Sequence, residues 1–135
     1  MATYNYQITK TYKAAVDLSA SQYYLVKAGS VDGECNINGT LSGSVIGVLQ
    51  NDPKAGEEAT VCVYGFTKVY ANTESGASPL TYGGWVKSGS HGQAIGCTNI
   101  TNASMYYAGI AQEALATGCG VLVEILFTGP MRTGA

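Results

Sequence analysis

The chain has 135 residues, 46% of them hydrophobic and only 12% charged, with a formal net charge of -2 at pH 7. That length suits one domain able to bury well over half of its unfolded surface without disulfide or metal staples. The seven Lys and Arg residues are scattered, which leaves no basic footprint for nucleic acid, and no apolar run is long enough to span a bilayer.

The opening segment "MATYNYQITK" has no basic stretch followed by an apolar run, so the expectation is a cytosolic product without a secretory leader. In "ATYNYQITKTYK" the residues Tyr4, Tyr6, Ile8 and Tyr12 fall on even positions, against Thr, Asn and Gln on odd ones. One face is aromatic and the other polar. No turn signal follows until "DLSASQ", so residues 1–15 read as an extended arm that lies along a neighbouring molecule; an edge strand of the same domain is the alternative. Residues 16–135 then form a single β domain.

Within that domain, "QYYLV", "SVIGVLQ", "ATVCVYGFTKVY", "GQAIGC", "MYYAGIAQ" and "GVLVEILF" are short apolar or alternating runs set between turn residues. The pattern predicts a mainly β fold, a compact antiparallel barrel or sandwich. Both faces of the strands beginning at Val61 and Val121 are expected to be largely buried. Asp52-Pro53 with Gly56 supplies a turn between two of these strands. At most one short helix is expected, over Ala111–Thr117, and a β-type turn fits there equally well. Two stretches correspond, "IGVLQNDPKAGEEATVCVYGFTKV" and "AGIAQEALATGCGVLVEILFTGP", with Gly47 matching Gly109 and Gln50 matching Gln112. They suggest two related strand-turn-strand units in one barrel.

Reactive constellations are scarce. His91, the sole histidine, sits among Gly and Ser with no carboxylate or cysteine beside it, and the chain lacks a G-x-S-x-G elbow. Asp52, Glu57 and Glu58 read as solvated turn charge, because adjacent glutamates in a strand point to opposite faces and cannot flank one bond. Glu124, within "VLVEILF", is expected at a solvent edge or paired with Lys68 or Arg132. Lys87-Ser88 lacks the glycine spacing of a phosphate loop. Cys35, Cys62, Cys97 and Cys119 contain no C-x-x-C pair and read as small buried hydrophobes. The sequons at Asn38, Asn99 and Asn102 read as chance matches. The expectation is therefore a non-enzyme with no cofactor and no metal. Tyr82 and Trp85 are the residues of a possible exposed recognition surface, such as a sugar-binding one.

"TYKAAVDLSASQYYLV", "VIGVLQNDPKAGEEATVCVYGFTKV" and "YYAGIAQEALATGCGVLVEILFTGP" together resemble the capsid decoration, or cement, proteins of tailed bacteriophages. The resemblance runs from about Thr11 to Pro130 and rests on overall pattern; Trp85 and the Asn/Ser/Thr-rich stretch Thr98 to Ser104 depart from it. It implies a mostly β body, a homotrimer, docked on the outer surface of a virion head and made in the bacterial cytoplasm. The implied partner is the major capsid protein, whose neighbouring subunits it bridges to stabilise the shell. Tyr4, Tyr6, Ile8 and Tyr12 are the candidates for that contact, with no role for nucleic acid or membrane. The alternative is a carbohydrate-binding or adhesive β module on a particle surface.

Overall fold

A computed structural model describes residues 6–39, 44–72, 78–97, 106–115 and 120–132. The apolar runs become β1 (Gln7–Ala14), β2 (Leu25–Ala28), β3 (Glu34–Ile37), β4 (Gly47–Leu49) and β5 (Glu58–Asn72). They continue as β6 (Trp85–Ser88), β7 (Ala94–Gly96), β8 (Tyr106–Ala111) and β9 (Gly120–Arg132). No helix occurs among the described residues. Where the short helix was considered, Ala111 ends β8 and Leu115 bridges to Leu80; residues 116 and 117 lie outside the described set.

All nine strands belong to one sheet, ordered β1-β3-β2-β4-β5-β7-β6-β8-β9, with further pairings of β1 to β5 and of β5 to β9. Those two pairings close the hydrogen-bond ladder into two circuits of five strands that share β5. The fold is mainly β, as expected, but it is not wholly antiparallel: β1 with β3 and β5 with β7 run parallel. The reason is geometric. Strand direction cannot alternate all the way round a ring of five, so each circuit needs one parallel pair.

The two circuits are copies of one plan. Leu25 faces Val48 and Val26 faces Gly47 in the first; Trp85 faces Ile110 and Val86 faces Gly109 in the second. Val48 opposite Cys62 is matched by Ile110 opposite Leu126. Tyr12 opposite Ala59 is likewise matched by Val69 opposite Val123. The correspondence reaches single hydrogen bonds: the Gln50 backbone N–H donates to Thr60 O (2.8 Å) and that of Gln112 to Glu124 O (2.9 Å). Left-handed backbone recurs in step at Tyr23 and Gly83, Gly33 and Gly92, and Gly65 and Gly129. In the sequence, "LVKAGS" from Leu25 answers "WVKSGS" from Trp85. The two-unit correspondence seen around Gly47 and Gly109 thus extends through both circuits, with β5 ending the first unit and, beyond Gly65, beginning the second.

Each unit has its own interior. Val26, Cys35, Leu49, Ala59 and Val61 fill the first, with Leu18 buried among them. Val69, Val86, Ala94, Ile125 and Phe127 fill the second, together with Leu80. Leu18 and Leu80 are held alike, by backbone N–H donation to Pro53 O (2.9 Å) and Leu115 O (3.0 Å). A fully buried aliphatic or aromatic side chain contributes about 1.5–3 kcal/mol through removal from water, so these residues dominate the stability.

Burial of β5 and β9 separates two strands that look alike in sequence. Both faces of β5 near Val61 and Cys62 are buried, as expected. In β9, Val123, Ile125 and Phe127 are buried, while Val121 and Leu122 are exposed and Leu126 is half-buried. The expectation that both faces of β9 are buried is corrected: along its outer face Leu122 is exposed and Glu124 and Leu126 are half-buried, whereas Cys62, the counterpart of Leu126 in the first unit, is fully buried.

Candidate functional site

The acidic segment between β4 and β5 is a built turn. Asp52, Glu57 and Glu58 line an open hollow with Asn51, Pro53, Gly56 and Thr60. Glu57 Oε1 accepts from the Lys54 backbone N–H (2.7 Å), and Glu57 N–H donates back to Lys54 O (3.0 Å). Asn51 spans the turn, its Nδ2 donating to Glu58 O and its Oδ1 accepting from Thr60 N–H, each at 3.0 Å. Gly56, left-handed at φ 83°, donates to Ala14 O (2.9 Å). These groups are engaged in holding the turn and in tying it to β1.

His91 is exposed in the turn between β6 and β7, with Ser90 Oγ 3.0 Å from its Nδ1. Among the described residues no three His, Cys, Asp or Glu side chains gather in a metal-binding group. Glu124 is half-buried and stands across from Lys68 in the β5–β9 backbone ladder, with no ion pair between the two side chains. Asn38 is buried, and Asn99 and Asn102 lie outside the described residues.

Cys35 and Cys62 are buried free thiols, matching the expectation of small buried hydrophobes, whereas Cys97 is a free thiol only half-buried, which corrects the expectation there; Cys119 lies outside the described residues. Burial pushes both thiols above their ordinary value of 9.0, which keeps them protonated and unreactive. The sign of the linkage follows. Unfolding releases thiols that ionise sooner, so their contribution to stability is intact below pH 9.0 and is lost as pH rises through that value. In the native protein at neutral pH, an alkylating reagent is expected to leave Cys35 and Cys62 unmodified and to label them on addition of denaturant. Peptide mapping by mass spectrometry checks this, and rapid native labelling of either would contradict the burial.

The candidate contact residues divide. Gln7–Ala14 is β1, paired with β5 at seven positions from Gln7 opposite Gly65 to Lys13 opposite Glu58. The proposed arm therefore does not stand free over that range; it is a strand of the body, as the alternative had it. Tyr4 lies outside the described residues. Tyr12 is half-buried against the first interior, beneath the Lys10 ammonium, 5.1 Å from its ring centroid. Tyr6 and Ile8 are 74% and 62% exposed. Directly across from Ile8 stands Tyr64, 52% exposed, which the sequence reading had placed in a buried strand. It lies on the same face of β5 as Lys68, which is also exposed, and beside a register shift in the β1–β5 pairing.

Tyr82 and Trp85 differ in exposure. Tyr82 projects from a turn, 77% exposed. Trp85 is half-buried in β6, and one face of its ring is taken by Tyr107 (centroids 4.8 Å apart, planes 29° apart).

No protein-family model matches the chain, and no curated protein sequence matches it. Among solved structures, its fold is similar to the crystal structure of the head fiber gp8.5 N base in bacteriophage phi29. The TM-score is 0.58 at 19% sequence identity, over 93% of this chain and 98% of that one. At that identity the likeness is one of fold, and it spans both five-strand units. That structure is described as a head fiber base and not as a cement protein.

Proposed function

We propose that this chain is a structural protein of a bacteriophage virion, mounted on the outer surface of the head. There it binds the major capsid protein, bridges neighbouring subunits and so acts as a decoration or cement protein. The observation that carries the reading is the fold shared over nearly the whole chain with a phage head fiber base. The surface agrees with it. Tyr6, Ile8 and Tyr64 form an exposed, largely aromatic patch at the β1–β5 junction, and Tyr supplies large amphipathic contact area at low entropic cost. Binding only the assembled shell stabilises that shell by mass action. An oligomer touching several capsid subunits multiplies a weak single contact through effective concentration.

Because β1 is built into the body, deletion of the segment would damage the fold, and point substitutions are the informative variants. Purified chain mixed with undecorated heads is expected to co-sediment at a fixed ratio. A Tyr6→Ser/Ile8→Ser double variant is expected to lose at least about tenfold in affinity, as removal of a buried anchor pair does, with unchanged circular dichroism. If wild-type chain binds no head, the capsid reading falls. In that case binding of oligosaccharides by Tyr82 is the next thing to measure.

A further inference from the structure

Cross-strand partners share one face of a sheet, and faces alternate along each strand. In the β5–β9 ladder Val69, opposite Val123, turns into the second interior, as does Ile125. The residues between them turn outward as three cross-strand pairs: Phe66 with Leu126, Lys68 with Glu124, and Tyr70 with Leu122. Lys68 and Leu122 are exposed and the other four are half-buried. Tyr70 is fixed in place by its stack on Tyr24 (centroids 5.5 Å apart, planes 10° apart). The face is therefore an apolar row, a row of two opposite charges, and a second apolar row.

This arrangement is complementary to itself. A two-fold axis running between β5 and β9, parallel to both, sets β5 of one copy over β9 of the next. Lys68 then stands over Glu124 and Glu124 over Lys68, while Phe66 meets Leu126 and Tyr70 meets Leu122. Each contact occurs twice, as an isologous interface requires. The four charges alternate around a square, so each has one neighbour of opposite sign in its own chain and another across the interface. An axis across the strands would instead put Lys68 over Lys68, which like-charge repulsion disfavours. Sheets packed face to face stay within about 30° of alignment, which keeps the three rows in register over one another.

We propose that this chain forms a two-fold dimer through the outer face of β5 and β9. The occupant is a second copy because the face carries both members of its own charge pair, one on each strand, with apolar rows placed to meet on either side. Three residue pairs make a contact smaller than that of a permanent dimer, so association depends on concentration and the dilute chain keeps the face exposed. The inference is separate from the head-binding reading, since its test contains no heads.

Sedimentation velocity of the full chain at rising concentration tests it. Wild type is expected to pass from monomer to dimer, with more monomer at high salt because the central row is electrostatic. Lys68→Glu and Glu124→Lys each set like charge over like, and each is expected to associate at least about tenfold more weakly with native circular dichroism. Mixed one to one, the two variants are expected to form a dimer, because every charge then meets its opposite across the interface. The double variant Lys68→Glu/Glu124→Lys, which exchanges the charges of the two strands, is expected to dimerise like wild type. Monomeric wild type at every concentration overturns the proposal, as does assembly into a trimer. A native single variant that dimerises as wild type does, or a mixture that stays monomeric, rejects this pairing of charges. Should Glu124→Lys fail to fold, Lys68→Glu, at an exposed position, and the double variant decide between them.

Discussion

Gly65→Ala is expected to destabilise the protein by about 3 kcal/mol or more, the sum of left-handed strain and of crowding against backbone. Gly65 lies where β5 passes from the first unit to the second, with φ at 120°. A Cβ there would collide with the Tyr6 carbonyl oxygen and stand 2.7 Å from Gln7 Cα, so relief requires β1 to move as backbone. The matched position provides the control. Gly129 is also left-handed, at φ 92°, but a Cβ on it meets nothing within 4 Å, so Gly129→Ala is expected to cost only about 1–2 kcal/mol from strain alone. Denaturant titration of the two variants measures the difference. Equal losses would mean that the contact between Gly65 and β1 contributes nothing. Native hydrogen exchange should additionally show faster exchange of β1 amides in Gly65→Ala than in Gly129→Ala.

Phe127→Ala is expected to cost about 3–5 kcal/mol, the range for an aromatic side chain removed from a core that collapses only partly. Phe127 is the largest fully buried side chain among the described residues and stands opposite Gly65 on one neighbouring strand and Gly109 on the other. Glycine on both sides leaves no cross-strand side chain to fill the space once the ring is gone. Leu122→Ala, on the outer face of β9 at 44% exposure, is expected to cost less than about 1 kcal/mol by lost burial. Thermal and denaturant unfolding of the two variants compare the faces of one strand directly. A loss at Leu122 as large as at Phe127 would contradict the exposure of the outer face.

The signals legible in the residues were those that act over a few positions. Alternation and turn chemistry predict a mainly β fold, and Asp52-Pro53 with Gly56 marks a turn wherever the strands go, because proline and glycine restrict or free the backbone locally. Gly47 with Gln50 and Gly109 with Gln112 disclosed two related units because the same hydrogen bonds and close approaches demand the same residues. Tyr6 and Ile8 were legible as a sticky face, since side-chain direction in a strand is set by parity.

Tertiary pairing decided the rest. Whether Gln7–Ala14 is an arm or a strand depends on β5, some fifty residues away in sequence, offering it an edge. The parallel pairs β1–β3 and β5–β7 arise only when five strands close a circuit, and a parallel strand carries no local mark that distinguishes it from an antiparallel one. By parity alone Cys62 and Tyr64 would share one face of β5, yet the first is buried and the second exposed, because the second unit packs over Cys62. The two faces of β9 differ in sequence chiefly by Glu124, and both carry apolar residues. Only the placement of the second unit's interior made Phe127 core and left Leu126 on an outer row, because burial belongs to what packs against a residue and is not a property of the residue itself.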